Sequence, residues 1–331
     1  MALGLIFAAR PLVGSFAIDR VGEGDIGHMA VAAAISSNAL GLMAGLVGAY
    51  VTGLRGAKWV SAVAMALAGM ALGVTYLIRD PLHFVAAQFA AGVFGAWAVA
   101  AALSVEGGLR RAPWRGALVL LAAFAVATPL GSLLSEALGR RLAFIVIGAA
   151  CVLAALLAFV GPAWQRRAGS LGLSKRGNLG AALSLATAAS AVVAYFEIAA
   201  ATDLMRENYS ALAMLLALAG AASFVPAVFV SGRAAWLAPT GAAVAFVALG
   251  AAIAGASPSL VAPMLGLAGG FAVAACGAAI FSPVILTCAL GGVLIAAASE
   301  LVGIALGVPS LLLCAVVAAL LAAAALVLAK R

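Results

Sequence analysis

Charged residues are scarce in this 331-residue chain, since Asp, Glu, Lys and Arg together make up only 8% of it. A soluble domain carries about a quarter charged residues, whereas 67% of this chain is hydrophobic and its mean hydropathy is +1.25. A soluble core could not hide this much apolar surface, so lipid must surround most of the chain. The regular alternation of apolar and polar residues that marks barrel strands is also missing, which predicts helices.

Histidine, cysteine and aromatic residues are few as well. The two histidines and four cysteines form no CxxC pair and no metal-ligand spacing. The sequence also lacks a nucleotide-binding loop and a nucleophile–base arrangement. We therefore expect no cofactor, no metal site and no enzymatic activity. Aromatic residues account for 7% of the chain, whereas its 38 glycines favour close contact between helices.

Apolar runs of roughly 20 residues, long enough to cross a bilayer, fill nearly the whole chain. They predict twelve helical spans at about 2–18, 29–52, 59–78, 83–105, 115–137, 142–161, 179–201, 210–231, 235–254, 259–281, 284–306 and 309–329. The one long polar stretch, 162–178, reads as a cytoplasmic linker between a six-helix bundle over 1–161 and a second over 179–331. The sequence therefore predicts an all-α polytopic membrane protein.

The net charge of +8 is unevenly distributed along the chain. With a cytoplasmic N-terminus, the inner loops hold twelve of the eighteen basic residues and a single acid, Glu106. The positive-inside rule then predicts that both termini are cytoplasmic and that the protein is integral to the cytoplasmic membrane. This asymmetry accounts for the basic composition without a nucleic-acid partner.

Three short patterns recur in the same order in the two predicted halves. Spans one and seven exit through acidic loops, and spans two and eight end in small-residue turns with a basic residue and a tryptophan. Spans five and eleven carry matching pairs, Ser135–Glu136 and Ser299–Glu300. The recurrence predicts a parallel repeat of two pseudo-symmetric six-helix halves.

With this layout the chain resembles the major facilitator superfamily of secondary transporters. The stretch GAYVTGLRGAKW is similar to the family's signature between spans two and three, with Arg55 and Lys58 at basic positions and Thr52 and Gly53 replacing its Asp–Arg pair. The stretch QFAAGVFG resembles the fourth-span pattern, with Gln88 in place of an arginine. The resemblance implies alternating access between two bundles and gating contacts for Arg55 and Lys58.

Arg10 stands in the middle of the first predicted span, directly before Pro11. A charge inside hydrocarbon costs about 2.5–3.5 kcal/mol on insertion scales. We expect Arg10 to face a watery cavity, where it binds an anionic group of the substrate or pairs with an intramembrane carboxylate. Two alternatives stay open: a structural pair with an acid or with carbonyls freed by Pro11, and a first span shifted by residues upstream.

Glu197 is the best carboxylate candidate within a span. It shares a narrow, small and polar helical face with Ser190, Ala194 and Ala201. We expect Glu197 to bind substrate or to take up and release a proton, opposite Arg10 on the first span. A purely structural pair with Arg10 is the alternative.

Five further side chains complete the predicted site. Gln88, Asn38 and Tyr195 are candidates for substrate binding, although the two amides could equally join helices and the tyrosine could be a packing residue. Glu136 and Glu300, near the outer ends of their spans, are expected to act as gate contacts or helix-end caps.

These features predict a secondary transporter that moves a small organic solute, anionic or amphipathic, by proton-coupled alternating access. The alternative is a non-transporting membrane scaffold or assembly factor of the same fold, which binds a lipid, a pigment or a partner subunit. We expect a small-molecule substrate and membrane lipid as partners, and a monomer by default.

Overall fold

The computed structural model of the chain describes residues 28–51, 57–75, 77–78, 80–105, 113–160, 177–198, 209–229, 236–276 and 283–329. Within these residues the secondary structure is helical and contains no strand. The helices are α1 His28–Val51, α2 Ala57–Thr75, α3 Pro81–Val105, α4 Pro113–Val160, α5 Gly177–Val192, α6 Tyr209–Phe229, α7 Leu237–Ile253, α8 Pro258–Cys276, α9 Pro283–Leu306 and α10 Ser310–Ala329. At its end α5 continues into a π-helical turn, Val193–Ile198.

These helices coincide with the predicted spans two to twelve. The long α4 covers the fifth and sixth spans, because two helices join at Gly139, whose φ of 73° and ψ of 155° are not helical. Glycine adopts this conformation readily because it has no β-carbon. The predicted break between 137 and 142 is therefore confirmed. The first predicted span, 2–18, lies outside the described residues, so the total of twelve stays a prediction.

Many large apolar side chains face outward, whereas most of the buried apolar side chains are small. Leu156 and Leu320 are 57% and 67% exposed, whereas Ala242, Ala296 and Ala318 are fully buried. Small residues let helices pack closely, and lipid tails accept the large apolar side chains that water would not. Among the described residues, four stretches are long and apolar enough to cross a membrane by length and composition: Lys58–Thr75, Arg141–Val160, Pro258–Cys276 and Thr287–Leu306. The chain is an integral membrane protein.

The chain divides into two compact units with related helix packing. The first comprises Met1–Arg111 and Val126–Ser170, and the second comprises Ala112–Ala125 and Leu171–Arg331. In the first unit α3 packs along both α1 and α2, and in the second α8 packs along both α6 and α7. Because α6, α7 and α8 are the counterparts of α1, α2 and α3 in the predicted repeat, the same pairing recurs in each unit.

Glycine allows the closest of these helix contacts. A β-carbon at Gly45 or Gly92 would collide with the backbone of the partner helix in the α1–α3 pair. In the second unit, Gly266 and Gly270 of α8 meet the backbone of α6 in the same way. The high glycine content thus serves close helix packing at these positions, as the composition predicts.

Helices α3 and α8, which correspond to each other in the predicted repeat, both begin at a proline. The residue before each proline is of a type that is common at helix N-caps. The dipeptide Asp80–Pro81 opens α3, and Ser257–Pro258 opens α8. The Asp80 Oδ1 accepts hydrogen bonds from the backbone N–H groups of Leu82 at 2.7 Å and His83 at 3.2 Å. These N–H groups, first that of His83 and then that of Leu82, lower the pKa of the Asp80 carboxyl. Both features favour helix initiation.

Candidate functional site

The predicted site falls partly within the described residues. Two of its members lie outside them: Arg10 and Arg55. Two more have a described backbone but no described side chain: Glu136 and Glu197. The remaining five are described in full: Asn38, Lys58, Gln88, Tyr195 and Glu300.

Gln88 and Asn38 come together in a buried polar cluster of the first unit. The Gln88 side chain is 3% exposed, and its Nε2 donates to the Thr75 Oγ1 at 3.3 Å. The Thr75 hydroxyl donates in turn to the carbonyl of Ala71 at 2.8 Å. The Asn38 Nδ2 donates to the backbone carbonyl of Gln88 at 2.9 Å. The cluster therefore joins α1, α2 and α3.

Both amides thus have helix–helix contacts, one of the two roles that the sequence left open for them. Each such hydrogen bond between membrane helices contributes about 0.6 kcal/mol on average. Their part in binding a solute stays a prediction. Sequence reasoning missed Thr75, because a single threonine near the end of an apolar span gives no signal of its contacts.

Serine hydroxyls add further links between packed helices, each donating to a backbone carbonyl. The three bonds are Ser37 to Val85 at 3.0 Å, Ser61 to Ala98 at 3.2 Å and Ser223 to Leu267 at 3.2 Å. The helices of each unit are therefore joined by polar bonds as well as by close contact. Among the described residues, two buried polar atoms have no hydrogen-bond partner: Trp97 Nε1 and Ser184 Oγ.

The predicted seventh span changes from an α-helix to a π-helical turn at its two candidate residues, Tyr195 and Glu197. The π-helical turn Val193–Ile198 contains Tyr195 and the backbone of Glu197, and it contacts α9 and α10. Such turns are rare and occur frequently at functional sites. The Tyr195 side chain is 5% exposed, so it is packed inside the second unit. The apolar periodicity of the sequence gives no sign of this turn.

The helical face on which the sequence placed Glu197 packs against other helices before the π-helical turn begins. Ser190 is fully buried, and its Oγ lies 3.9 Å from the Cys314 Sγ on α10. Ser299 of α9 is also buried, and its hydroxyl donates to the carbonyl of Ile295 in its own helix at 2.8 Å. The α-helix ends at Val192, and the π-helical turn that follows it has a different number of residues per turn. The shared face of Ser190 and Glu197 and the role of Glu197 stay predictions.

The described gate candidates lie on separate elements. Glu300 is half-buried on α9, and Lys58 is half-buried at the start of α2. Their gating roles stay predictions. In the part of the chain that the structure describes, no group of three or more His, Cys, Asp or Glu residues could hold a metal ion.

Comparison with known proteins finds a likeness in structure but none in sequence. No family model and no curated protein matches the chain. The nucleoside transporter NupG matches with a TM-score of 0.67 and 14% identity, over 100% of this chain and 98% of NupG. A bacterial homologue of the human lysosomal transporter Spinster, inward-facing and occupied, matches with a TM-score of 0.64 and 16% identity, over 100% and 95% of the two chains.

The chain has the major facilitator superfamily fold. This confirms the all-α membrane fold class that the sequence predicts, while the bounds of its two six-helix halves stay a prediction. The solved neighbours are transporters. At these identities the likeness concerns the fold, so no residue role is carried over from NupG or the Spinster homologue.

Proposed function

We propose that the protein is a secondary transporter that carries a small organic solute across the membrane by alternating access. The observation that carries the proposal is the full-length likeness to two different transporters, at TM-scores of 0.67 and 0.64. The repeated pairing of α3 with α1 and α2, and of α8 with α6 and α7, supports it. Helices joined this closely suit units that move as whole bodies.

Solute recognition is proposed to depend on Arg10 and Glu197. The described amides, Asn38 and Gln88, already bond to neighbouring helices. The intramembrane charges of spans one and seven are therefore the groups best suited to recognition. A π-helical turn at Glu197 supports a functional role for this region, because such turns cluster at functional sites. Glu197 is proposed to bind and release the coupling proton, and Arg10 to attract an anionic group.

The solute class is proposed as a small organic molecule that is anionic or amphipathic. Since NupG is a nucleoside transporter, nucleosides are the first neutral solutes to test, and organic anions are the class that Arg10 favours. The chain is further proposed to lie in the cytoplasmic membrane with both termini inside, because the predicted inner loops hold twelve of its eighteen basic residues.

Uptake into proteoliposomes with an imposed pH gradient tests this proposal. The wild type should accumulate a solute from one of these classes, and the flux should follow the proton gradient. Arg10→Ala should abolish flux of anionic solutes, and Glu197→Gln should abolish its dependence on the gradient. Protein yield and monodispersity, compared with those of the wild type, show whether each variant still folds.

Two matched variants serve as controls. Glu300→Gln removes the half-buried carboxylate of α9 and should slow flux while keeping its dependence on the gradient. Gln88→Leu removes a helix–helix hydrogen bond and should lower stability without removing coupling. A well-folded wild type with no flux for any solute, but with a tightly bound lipid, pigment or partner subunit, would instead support the scaffold.

A further inference from the structure

A buried serine of the second unit has no hydrogen-bond partner. Ser184 lies near the middle of α5 and is fully buried, and its Oγ is one of the two unpartnered buried polar atoms in the described part of the chain. By contrast, the hydroxyl of Thr187 on the same helix donates to the carbonyl of Leu183 at 2.8 Å. A buried hydroxyl without a partner costs free energy, whereas an alanine side chain at the same place does not. The described arrangement therefore gives Ser184 no advantage over alanine.

Three helices meet beside the Ser184 hydroxyl. Helix α5 packs along both α7 and α8, and these two helices pack along each other. At their junction, a β-carbon on Gly241 of α7 would lie 2.9 Å from the Ser184 Oγ and 3.1 Å from the carbonyl oxygen of Ala268 on α8. A carbonyl acceptor on a neighbouring helix thus lies close to the hydroxyl without a hydrogen bond to it.

Other buried serines of this protein do bond to the helix beside them. Ser61 donates to the carbonyl of Ala98, and Ser223 donates to the carbonyl of Leu267, each at 3.2 Å. A helical carbonyl can accept such a bond and keep the bond within its own helix, because its oxygen has two lone pairs. The same bond is therefore chemically open to Ser184 and Ala268, and the position of α5 relative to α8 prevents it.

The composition of α5 and the turn at its end suit a small shift of this helix. From Gly180 to Ala191, its buried residues are all glycine, alanine, serine or threonine. Such short side chains interdigitate less deeply with neighbouring helices than large ones do. In the π-helical turn Val193–Ile198 the hydrogen bonds span five residues instead of four. A change between these two spacings moves the preceding helix by about 1.5 Å, the rise of one residue, without unfolding it.

We propose that α5 has a second position along α8, in which the Ser184 Oγ donates to the carbonyl of Ala268. The hydroxyl then stabilises the second position and not the described one, which accounts for a serine at this place. Both residues belong to the second unit, so the shift is a property of that unit. The proposal holds whether or not the chain carries a solute.

Fluorine NMR of the full-length protein in detergent micelles tests the second position. A trifluoromethyl probe is attached to a cysteine introduced by Leu179→Cys at the exposed start of α5, after Cys288, the cysteine that is not buried, has been changed to alanine. We expect two resonances in this labelled parent, one for each position of α5. Ser184→Ala should weaken one of them about threefold relative to the other, the factor that corresponds to about 0.6 kcal/mol for one hydrogen bond between membrane helices.

Three further variants separate this bond from general effects of substitution. Ser223→Ala removes a buried serine that is already bonded, so it should leave the ratio of the resonances unchanged. Gly241→Ala places a methyl group close to both the hydroxyl and the carbonyl, so it should weaken the same resonance as Ser184→Ala. Gly250→Ala on the same helix adds a β-carbon that meets nothing within 4 Å and should leave the ratio unchanged.

An unchanged ratio in Ser184→Ala would overturn the proposal, as would a single resonance at the same position in the parent and in this variant. Equal changes in Ser184→Ala and Ser223→Ala, or in Gly241→Ala and Gly250→Ala, would also overturn it. If Ser184→Ala does not fold, the comparison of the two glycine variants decides. Because the measurement needs no solute, its outcome is independent of whether the proposed transport is found.

Discussion

The contact between α1 and α3 predicts that two glycine-to-alanine substitutions, one inside this contact and one outside it, differ strongly in their effect on stability. Gly92 of α3 lies against α1, where a β-carbon would collide with the carbonyl of Asn38 and lie 3.0 Å from the amide nitrogen of Leu42. Gly269 stands eleven residues after Pro258 in α8, as Gly92 stands eleven residues after Pro81 in α3. A β-carbon at Gly269 meets nothing within 4 Å. Gly269→Ala is therefore a matched control for Gly92→Ala.

The expected magnitudes follow from packing and helix propensity. Alanine in place of glycine within a helix gains about 0.5–1 kcal/mol, and Gly269→Ala should show this gain. At Gly92 the obstructing atoms are backbone atoms, which cannot turn aside, and overpacking costs about 1–3 kcal/mol. Separation of the helices would also weaken the Asn38–Gln88 hydrogen bond, at about 0.6 kcal/mol. The free energies of unfolding of the two variants should differ by roughly 2 kcal/mol, about a factor of 30 in the equilibrium constant.

Reversible unfolding in mixed detergent micelles, followed by helical circular dichroism, measures both variants against the wild type. Gly92→Ala should unfold at a lower denaturant fraction than the wild type, and Gly269→Ala at the same or a higher fraction. Equal stability of the two variants would refute the close α1–α3 contact. Such a result would mean that α3 does not need a glycine at position 92 in order to pack against α1.

Other consequences can be checked in the same preparations. Gln88→Leu removes the bond to Thr75 and should lower the free energy of unfolding by less than about 1 kcal/mol, because the Thr75 hydroxyl keeps its bond to α2. Because folding lowers the pKa of Asp80, its ionised carboxylate stabilises the folded state at pH values above 3.8, the ordinary pKa of this group. This stabilisation is lost as the pH falls through the lowered pKa. Asp80→Asn should therefore flatten the dependence of stability on pH below about 4, as a melting series in acid buffers would show. Cys314 is fully buried, so a maleimide should label it only after denaturation.

The positions of the membrane spans followed from the sequence because span length is a local property. A run of roughly 20 apolar residues, ended by a polar or glycine-containing turn, sets a helix whatever it packs against. The break at Gly139 is of this kind, since the glycine and the arginines that follow it interrupt the apolar run. The resemblance of the chain to a transporter family, which rests on the order of its loops and glycine-rich spans, likewise predicted the fold that the solved transporters share.

Individual side-chain roles depended on which helices meet, and a single sequence without an alignment does not contain that information. Asn38 and Gln88 are polar residues in apolar spans whether they face a cavity or another helix. Only packing showed that the first bonds to the backbone of the second. The π-helical turn at Val193–Ile198 was equally hidden, because its register depends on contacts with α9 and α10.

The sequence by itself determined that the chain is helical, lies in a membrane and is built as two related halves. Each of these properties comes from hydrophobicity, length or order along one chain. The tertiary structure alone decided that Gly45 and Gly92 face a helix backbone and that Ser190 meets Cys314. It also decided that the exposed side chains of Trp59 and Phe159 meet. These contacts join residues far apart in the chain, so they exist only once the helices have packed.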